Sequence, residues 1–261
     1  MSAADPTAAV REGRSSDTAT VPPTLGRRLW FGWVVFWGAF FSATLSPGVV
    51  VHSAFRPTAA TFRAWMRPWG QAILAMTRIR LRVEARAPLP EGPVVFVANH
   101  QNALDIPVTS VGIPRPYLYV ARHELRAWPV VGWVLEKTAC LFISRDNPRK
   151  AVESLVRAGE RIRGGESVLL FPEGGRSHSH RTKTFMRGSF VLAIEAGVPV
   201  VPVALLGHPG VIDEPSRAAC PGEVRLVLGE PIPTDGLRRS DAADLCARVK
   251  AVIDAELAAF R

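Results

Sequence analysis

The order of apolar and polar positions divides the chain into three stretches. Residues 1–25 mix Ala, Thr, Ser, Pro and charged residues without a period, which reads as a disordered tail. Residues 26–78 hold two apolar segments. The first, Leu29 to Val51, carries no ionisable side chain and is crowded with Trp30, Phe31, Trp33, Phe36, Trp37, Phe40 and Phe41. A membrane span needs roughly 20 apolar residues, so the run is long enough. Ser46-Pro47-Gly48 is expected to break it and to favour a re-entrant or one-leaflet hairpin over a clean span. The long tail and the aromatic density fit a signal peptide poorly. In the second segment, Thr58 to Thr77, the residues Phe62, Trp65, Met66, Trp69, Ile73 and Met76 recur every three or four positions. That spacing predicts an amphipathic helix, and Arg56, Arg63, Arg67 and Arg78 surround it. A basic, Trp-bearing amphipathic helix suits a membrane surface; ordinary packing on the core is the alternative. The two segments are expected to form an N-terminal membrane-associating helical pair.

From residue 79 to residue 261 short apolar runs alternate with helical periods. The runs predict strands at Ile79–Ala85, Val94–Ala98, Tyr117–Ala121, Leu141–Ser144, Val168–Phe171, Val200–Leu205 and Val224–Leu228. Helices are predicted at about Ile106–Val111, Val130–Lys137, Pro148–Ile162, Gly188–Ala196 and Ser240–Ala259. The alternation predicts an α/β domain with a mixed, largely parallel sheet flanked by helices. In such sheets ligands gather outside the carboxyl ends of the strands.

Charge narrows the partners. The 261 residues carry 32 Lys and Arg against 23 Asp and Glu, a net charge of +9. This favours an anionic partner, either phosphorylated or lipid. There is no basic run interleaved with aromatics and no zinc-finger or RNP motif, so nucleic acid is not an expected partner. Cys140, Cys220 and Cys246 are scattered, without metal-ligand spacing or a disulfide framework, and no metal is expected.

Two strand ends concentrate the chemistry. Asn99-His100-Gln101-Asn102-Ala103-Leu104-Asp105 follows the strand ending at Ala98. On a regular helix His100 and Asp105 would point roughly 140° apart, so they meet only if the chain turns between them. Gln101-Asn102 can supply that turn, and Asp105-Ile106-Pro107 looks like an N-cap leading into a helix. A carboxylate on one imidazole nitrogen leaves the other as a base. With no Ser or Cys beside it, the pair would activate an external hydroxyl. Phe171-Pro172-Glu173-Gly174-Gly175-Arg176-Ser177 ends a second strand. Gly174 and Gly175 allow close approach of backbone to a ligand, Arg176 offers a phosphate fork, and Glu173 is expected to pair with an Arg or bond a ligand hydroxyl. Arg145, ending Phe142-Ile143-Ser144-Arg145, is a third strand-end candidate for phosphate. Gly197-Val198-Pro199-Val200-Val201-Pro202-Val203 reads as a helix stop running into a buried strand.

Together these blocks resemble the bacterial 1-acyl-sn-glycerol-3-phosphate acyltransferases, the PlsC-like family. That family's N-H-x-x-x-x-D is matched by Asn99, His100 and Asp105. Its second block is matched by Arg122-His123-Glu124-Leu125, Pro129 to Gly132 and Phe142 to Arg145, with Arg122 for the usual Lys and Ser144 for the usual Asp. F-P-E-G-T-R-S is matched by Phe171 to Ser177, with Gly175 for Thr, and V-P-x-x-P-V by Val198 to Val203. The resemblance spans about residues 56–230. It implies acyl transfer from acyl-CoA or acyl carrier protein to the free hydroxyl of a lysophospholipid, commonly lysophosphatidate. It implies His100 as base, Asp105 as its orienter, and Asn99, Arg122, Arg145, Glu173, Gly174, Gly175 and Arg176 around the acceptor. It implies no metal or tightly held cofactor, and a place at the cytoplasmic face of the inner membrane. The same blocks would serve another acceptor such as lyso-ornithine lipid. A thioesterase or a non-catalytic membrane-binding relative are more distant alternatives.

Overall fold

The computed structural model describes residues 23–56, 58–127, 132, 135–136, 140–143 and 148–260. Most of the expected disordered tail, most of the predicted helix Val130–Lys137, and Arg145 lie outside these residues.

Strands β1 (Ile79–Ala85), β2 (Val95–Ala98), β3 (Tyr117–Arg122), β4 (Leu141–Ile143), β5 (Ser167–Leu170), β6 (Val200–Leu206) and β9 (Gly222–Leu228) form a seven-stranded sheet in the order β1-β9-β6-β2-β5-β3-β4. Every neighbouring pair is parallel except β6 and β9. β2, β5 and β6 are buried along their whole length, which is why they read as unbroken apolar runs. Alternation along β2 sends Val95 and Val97 to one face and Phe96 and Ala98 to the other. The first face packs against α4 (Pro148–Arg163), α5 (Gly188–Ala196) and α7 (Ala242–Ala259) through residues such as Ile162, Phe190 and Val249. The second packs against α2 (Ala59–Met76) and α3 (Asp105–Gly112) through Phe62, Leu74, Leu104 and Val108. Pro202 sits inside β6, but at the point where the ladder to β9 ends at Val203↔Leu228, so its missing N–H costs little pairing.

The N-terminal pair forms as expected, with one correction. α1 (Leu25–Phe55) is continuous for 31 residues and passes through Pro47, so the expected break at Ser46-Pro47-Gly48 does not occur. Contacts on both sides of Pro47 hold the helix in register against α2. Trp69 Nε1 donates to Ser42 Oγ (3.3 Å) and Trp65 Nε1 to His52 Nδ1 (3.1 Å), and a Cβ at Gly48 would run into the Trp65 ring. Trp33 Nε1 donates to the Met76 carbonyl (3.1 Å) at the other end of the pair. α1 is long and apolar enough to cross a membrane. Of the exposed large apolar side chains among the described residues, all but Val83 and Val156 stand on it. α2 in turn lies close on α3, where a Cβ at Gly70 would meet Ser110 and the Pro107 carbonyl.

Among the described residues the elements not expected from sequence are a 3₁₀ turn at His123–Ala127, a single helical turn, α6 (His208–Val211), and a hairpin of β7 (Ile212–Asp213) and β8 (Ala218–Ala219).

Candidate active site

β6, β2 and β5 are adjacent and parallel, so their carboxyl ends open on one edge of the sheet. The loops leaving them carry His208, His100 and Glu173 respectively. The β2 loop is held by its amide side chains. Asn99 Nδ2 donates to the Leu205 carbonyl (3.0 Å), and the Leu205 N–H donates to Asn99 Oδ1 (2.7 Å). Asn102 Nδ2 donates to the carbonyls of His208 (3.1 Å) and Ile212 (2.8 Å), while its Oδ1 accepts from Leu104 N–H. Gln101 Nε2 reaches the Ser179 carbonyl (3.0 Å). Asn99, expected around the acceptor, is therefore buried with both ends of its amide spent on β6.

The turn between His100 and Asp105 closes as the sequence required. Asp105 does not cap its helix: Leu104 holds the cap position without a side-chain bond, and Asp105 is the first helical residue. Its carboxylate points back at the loop instead. Asp105 Oδ2 accepts from His100 Nδ1 (2.6 Å), Gln101 N–H (2.6 Å) and Asn102 N–H (3.2 Å); Oδ1 accepts from His208 Nδ1 (2.5 Å). Burial pushes this carboxyl up, but the hydrogen bonds and charges of the two imidazoles outweigh it and hold Asp105 below the usual carboxylate range. An ionised acceptor has each imidazole donate from Nδ1, which leaves Nε2 as the His100 ring nitrogen not engaged by Asp105. The His100 ring stacks on Phe171 at 4.3 Å between centroids and its side chain is 16% exposed.

The β5 loop is laced to this turn. The Ser177 N–H donates to the His100 carbonyl (2.7 Å) and the His178 N–H to the Gln101 carbonyl (3.0 Å). Among the described residues Glu173 does not pair with an Arg, contrary to one expectation. Its carboxylate accepts the backbone N–H groups of His100 (2.8 Å) and Lys183 (2.9 Å). Burial raises its pKa, with those two bonds working the other way. Gly174 has φ +68°, a left-handed turn position, and its N–H is spent on the Phe171 carbonyl (3.2 Å). Gly175 has open space where a Cβ would stand. Arg176 is partly exposed and donates to both oxygens of Glu214 (3.0 and 3.2 Å). Glu214 also accepts from the Ala103 N–H (3.1 Å) and lies 3.2 Å from His178 Nδ1. Arg122 closes β3 on the same edge of the sheet.

Sequence reasoning thus missed His208 and Glu214. The available signal for His208 was its place: like His100, it stands two residues past the end of a fully apolar strand. Among the described residues no group of His, Cys, Asp or Glu is arranged to hold a metal, and both Asp105 oxygens are committed to N–H donors.

A family model described as acyltransferase matches residues 80–206. Among curated proteins the chain is 33% identical over 197 residues to a lyso-ornithine lipid O-acyltransferase of Pseudomonas aeruginosa, covering 68% of this chain and 73% of that protein. It is 30% identical over 227 residues to a 1-acyl-sn-glycerol-3-phosphate acyltransferase of the same organism, covering 84% and 86%. It is 35% identical over 146 residues to a chloroplastic 1-acyl-sn-glycerol-3-phosphate acyltransferase of Brassica napus, of whose length it spans 42%. The crystal structure of the 1-acyl-sn-glycerophosphate acyltransferase PlsC from Thermotoga maritima shares the fold, with a TM-score of 0.71 at 24% identity over 88% of this chain and 96% of that one. The matched segment contains β2, β5 and β6 with the loops that bring His100, Asp105, Glu173 and Arg176 to one edge, and the Pseudomonas relatives align over most of their own length: the chain belongs to the acyltransferase family.

Proposed function

We propose that this chain moves a fatty acyl group from an acyl-CoA or acyl carrier protein thioester to the sn-2 hydroxyl of 1-acyl-sn-glycerol-3-phosphate, giving phosphatidic acid. The observation that carries the reading is His100, held by Nδ1 on a buried, ionised carboxylate with its ring face on Phe171 and Nε2 left over. Nε2 takes the proton of the acceptor hydroxyl as its oxygen attacks the thioester carbonyl. Asp105 stabilises the imidazolium that results. The tetrahedral intermediate collapses, the C–S bond breaks, and the thiolate leaves with the proton returned by Nε2. The scheme calls on no cofactor. Arg122, Arg145 and Arg176 supply guanidinium groups for the acceptor's phosphate, which competes with Glu214 for Arg176. Gly174 lets the turn beside it take its left-handed bend, and Gly175 leaves space open next to it. Glu173 serves the reaction by holding the His100 amide.

Both acceptor and product are lipids, and the apolar outer side of α1 supports an enzyme held at the bilayer, at the cytoplasmic face of the inner membrane, where the anionic donors meet a chain of net charge +9. The deciding experiment is product analysis with a panel of lysolipids and both donors. Phosphatidate formation from lysophosphatidate is expected. Release of free acid at the same rate without acceptor would make the protein a thioesterase, and no thioester cleavage at all would make it a non-catalytic relative. A form beginning near Ile79 should lose flotation with anionic liposomes; full-rate acylation of bilayer-embedded acceptor by that form would refute the anchoring role.

A second acceptor is favoured by two observations. The similarity to the lyso-ornithine lipid O-acyltransferase extends over 73% of that protein, and Glu214 already neutralises the Arg176 fork. If lyso-ornithine lipid outcompetes lysophosphatidate in the same panel, that reading replaces the first.

A further inference from the structure

Asp105 serves two imidazoles, and only one of them has a part in the reaction above. His208 is fully buried, its Nδ1 lies 2.5 Å from Asp105 Oδ1, and its Nε2 is buried with no hydrogen-bond partner among the described residues. A buried, half-satisfied ring is costly where an apolar side chain would pack as well. Its backbone is set with equal care. Gly207, at φ +84°, turns the chain out of β6, and a Cβ there would press on the Phe260 ring and the Glu223 carbonyl. Asn102 holds the His208 carbonyl from the loop that carries His100.

We infer that His208 is a positioning residue for the base: by donating Nδ1–H to Asp105 Oδ1 it fixes the carboxylate's orientation and shares its negative charge, so that His100 is held in the working tautomer without being over-stabilised as an imidazolium. This rests on the role given to His100 above. The other groups that face the pair are accounted for. Glu173, from the β5 loop, is tied to the His100 and Lys183 amides. The Tyr119 hydroxyl, from β3, shares a hydrogen bond with Thr109 and donates to the Ile106 carbonyl. Glu214 is engaged by Arg176, His178 and the Ala103 amide. None of these reaches Oδ1. Without the His208 donor the whole charge of Asp105 acts on His100, the imidazolium gains, and the acid limb of any process that needs neutral His100 moves to higher pH.

The test uses the full chain in detergent micelles and three variants. His208→Asn places an amide N–H near the position of Nδ1; His208→Gln reaches only the Nε2 position; His208→Leu has no donor. The first readout needs no substrate: the rate of His100 carbethoxylation by diethylpyrocarbonate against pH, followed by peptide mass spectrometry, since the reagent takes only the neutral ring. The second is the pH profile of acyl transfer. His208→Leu is expected to raise both midpoints by about half a unit or more. It should lower kcat on the acid limb by the factor that the shift dictates, about threefold for half a unit, with acceptor KM within about twofold. His208→Asn should restore the wild-type midpoints, and His208→Gln should behave as His208→Leu and stands in for it if the latter does not fold. Coincident midpoints for the wild type and a folded donor-less variant, or equal shifts for His208→Asn and His208→Leu, overturn the inference. A carbethoxylation shift in a protein that acylates no acceptor of the panel supports it while refuting the proposed reaction.

Discussion

Asp105→Asn removes one charge and leaves the volume of the turn unchanged, which makes the electrostatic part of the mechanism measurable. The carboxylate lies 2.6 Å from His100 Nδ1. When His100 takes the acceptor proton, the charges of the imidazolium and carboxylate are centred about 4 Å apart, and at an effective dielectric near 20 they attract by about 4 kcal/mol. At about 1.4 kcal/mol per decade this is a loss of about 10³ in kcat. The structure also shows why the variant cannot compensate. Asp105 accepts four N–H donors, three on Oδ2 and one on Oδ1. An Asn in its place must turn its NH₂ either toward His208 or toward His100 and the two loop amides. In the second orientation His100 accepts at Nδ1 and presents a protonated Nε2, which is no base. The assay is thiol release from acyl-CoA with saturating acceptor, together with circular dichroism to confirm folding. The expected outcome is kcat reduced about 10³-fold with acceptor KM within about twofold. A folded Asp105→Asn protein with kcat within about tenfold of wild type would refute the argument that Asp105 stabilises the imidazolium.

His100→Ala should lose about 10²–10⁴ in kcat while its melting temperature stays close to wild type, and near-normal turnover would remove it as the base. Arg176→Ala should raise KM for a phosphorylated acceptor by about 10–150-fold and leave the donor's unchanged, while Glu214→Gln, which frees the fork, should lower the same constant; equal effects on donor and acceptor would argue against a phosphate role. Gly174→Ala should cost about 1–2 kcal/mol in urea unfolding because its φ is left-handed. Gly175→Thr, with open space around its Cβ, should stay within about 0.5 kcal/mol of wild type, and a larger loss there would mean that the turn is tighter than described.

Much of the fold was readable because parallel strands buried on both faces print as continuous apolar runs. β1 matches its predicted limits, β2 and β6 differ by a residue at one end, and β5 is shifted by one residue at each end. α2 runs between the Thr58 and Thr77 caps, as the three-and-four spacing required. Pro47 misled because a local rule was overridden by tertiary contact: His52, Gly48 and Ser42 are gripped by Trp65 and Trp69, so the helix is held on both sides of the missing hydrogen bond. His100 and Asp105 were legible through their spacing and the turn between them. The second oxygen of Asp105 was not, since its partner lies 103 positions away and only sheet order brings them together. Glu173 misled for a similar reason. A carboxylate in a basic loop suggests an ion pair, whereas here it satisfies two main-chain donors that the sequence cannot display.

The stitching of the β5 loop bears on how the site opens. The segment that follows Phe171 is pinned at one end to the backbone of His100 and Gln101 and at the other to α7, where Thr182 donates to Asp254 and receives Lys250. A hinged cover could not lift from that side without pulling on the turn that holds His100. This wall is therefore a fixed jaw. Its geometry is complete before substrate arrives, so little reorganisation remains when the proton moves. In the proposed reaction, substrate therefore enters past the other loops at this end of the sheet and not by the lifting of this segment.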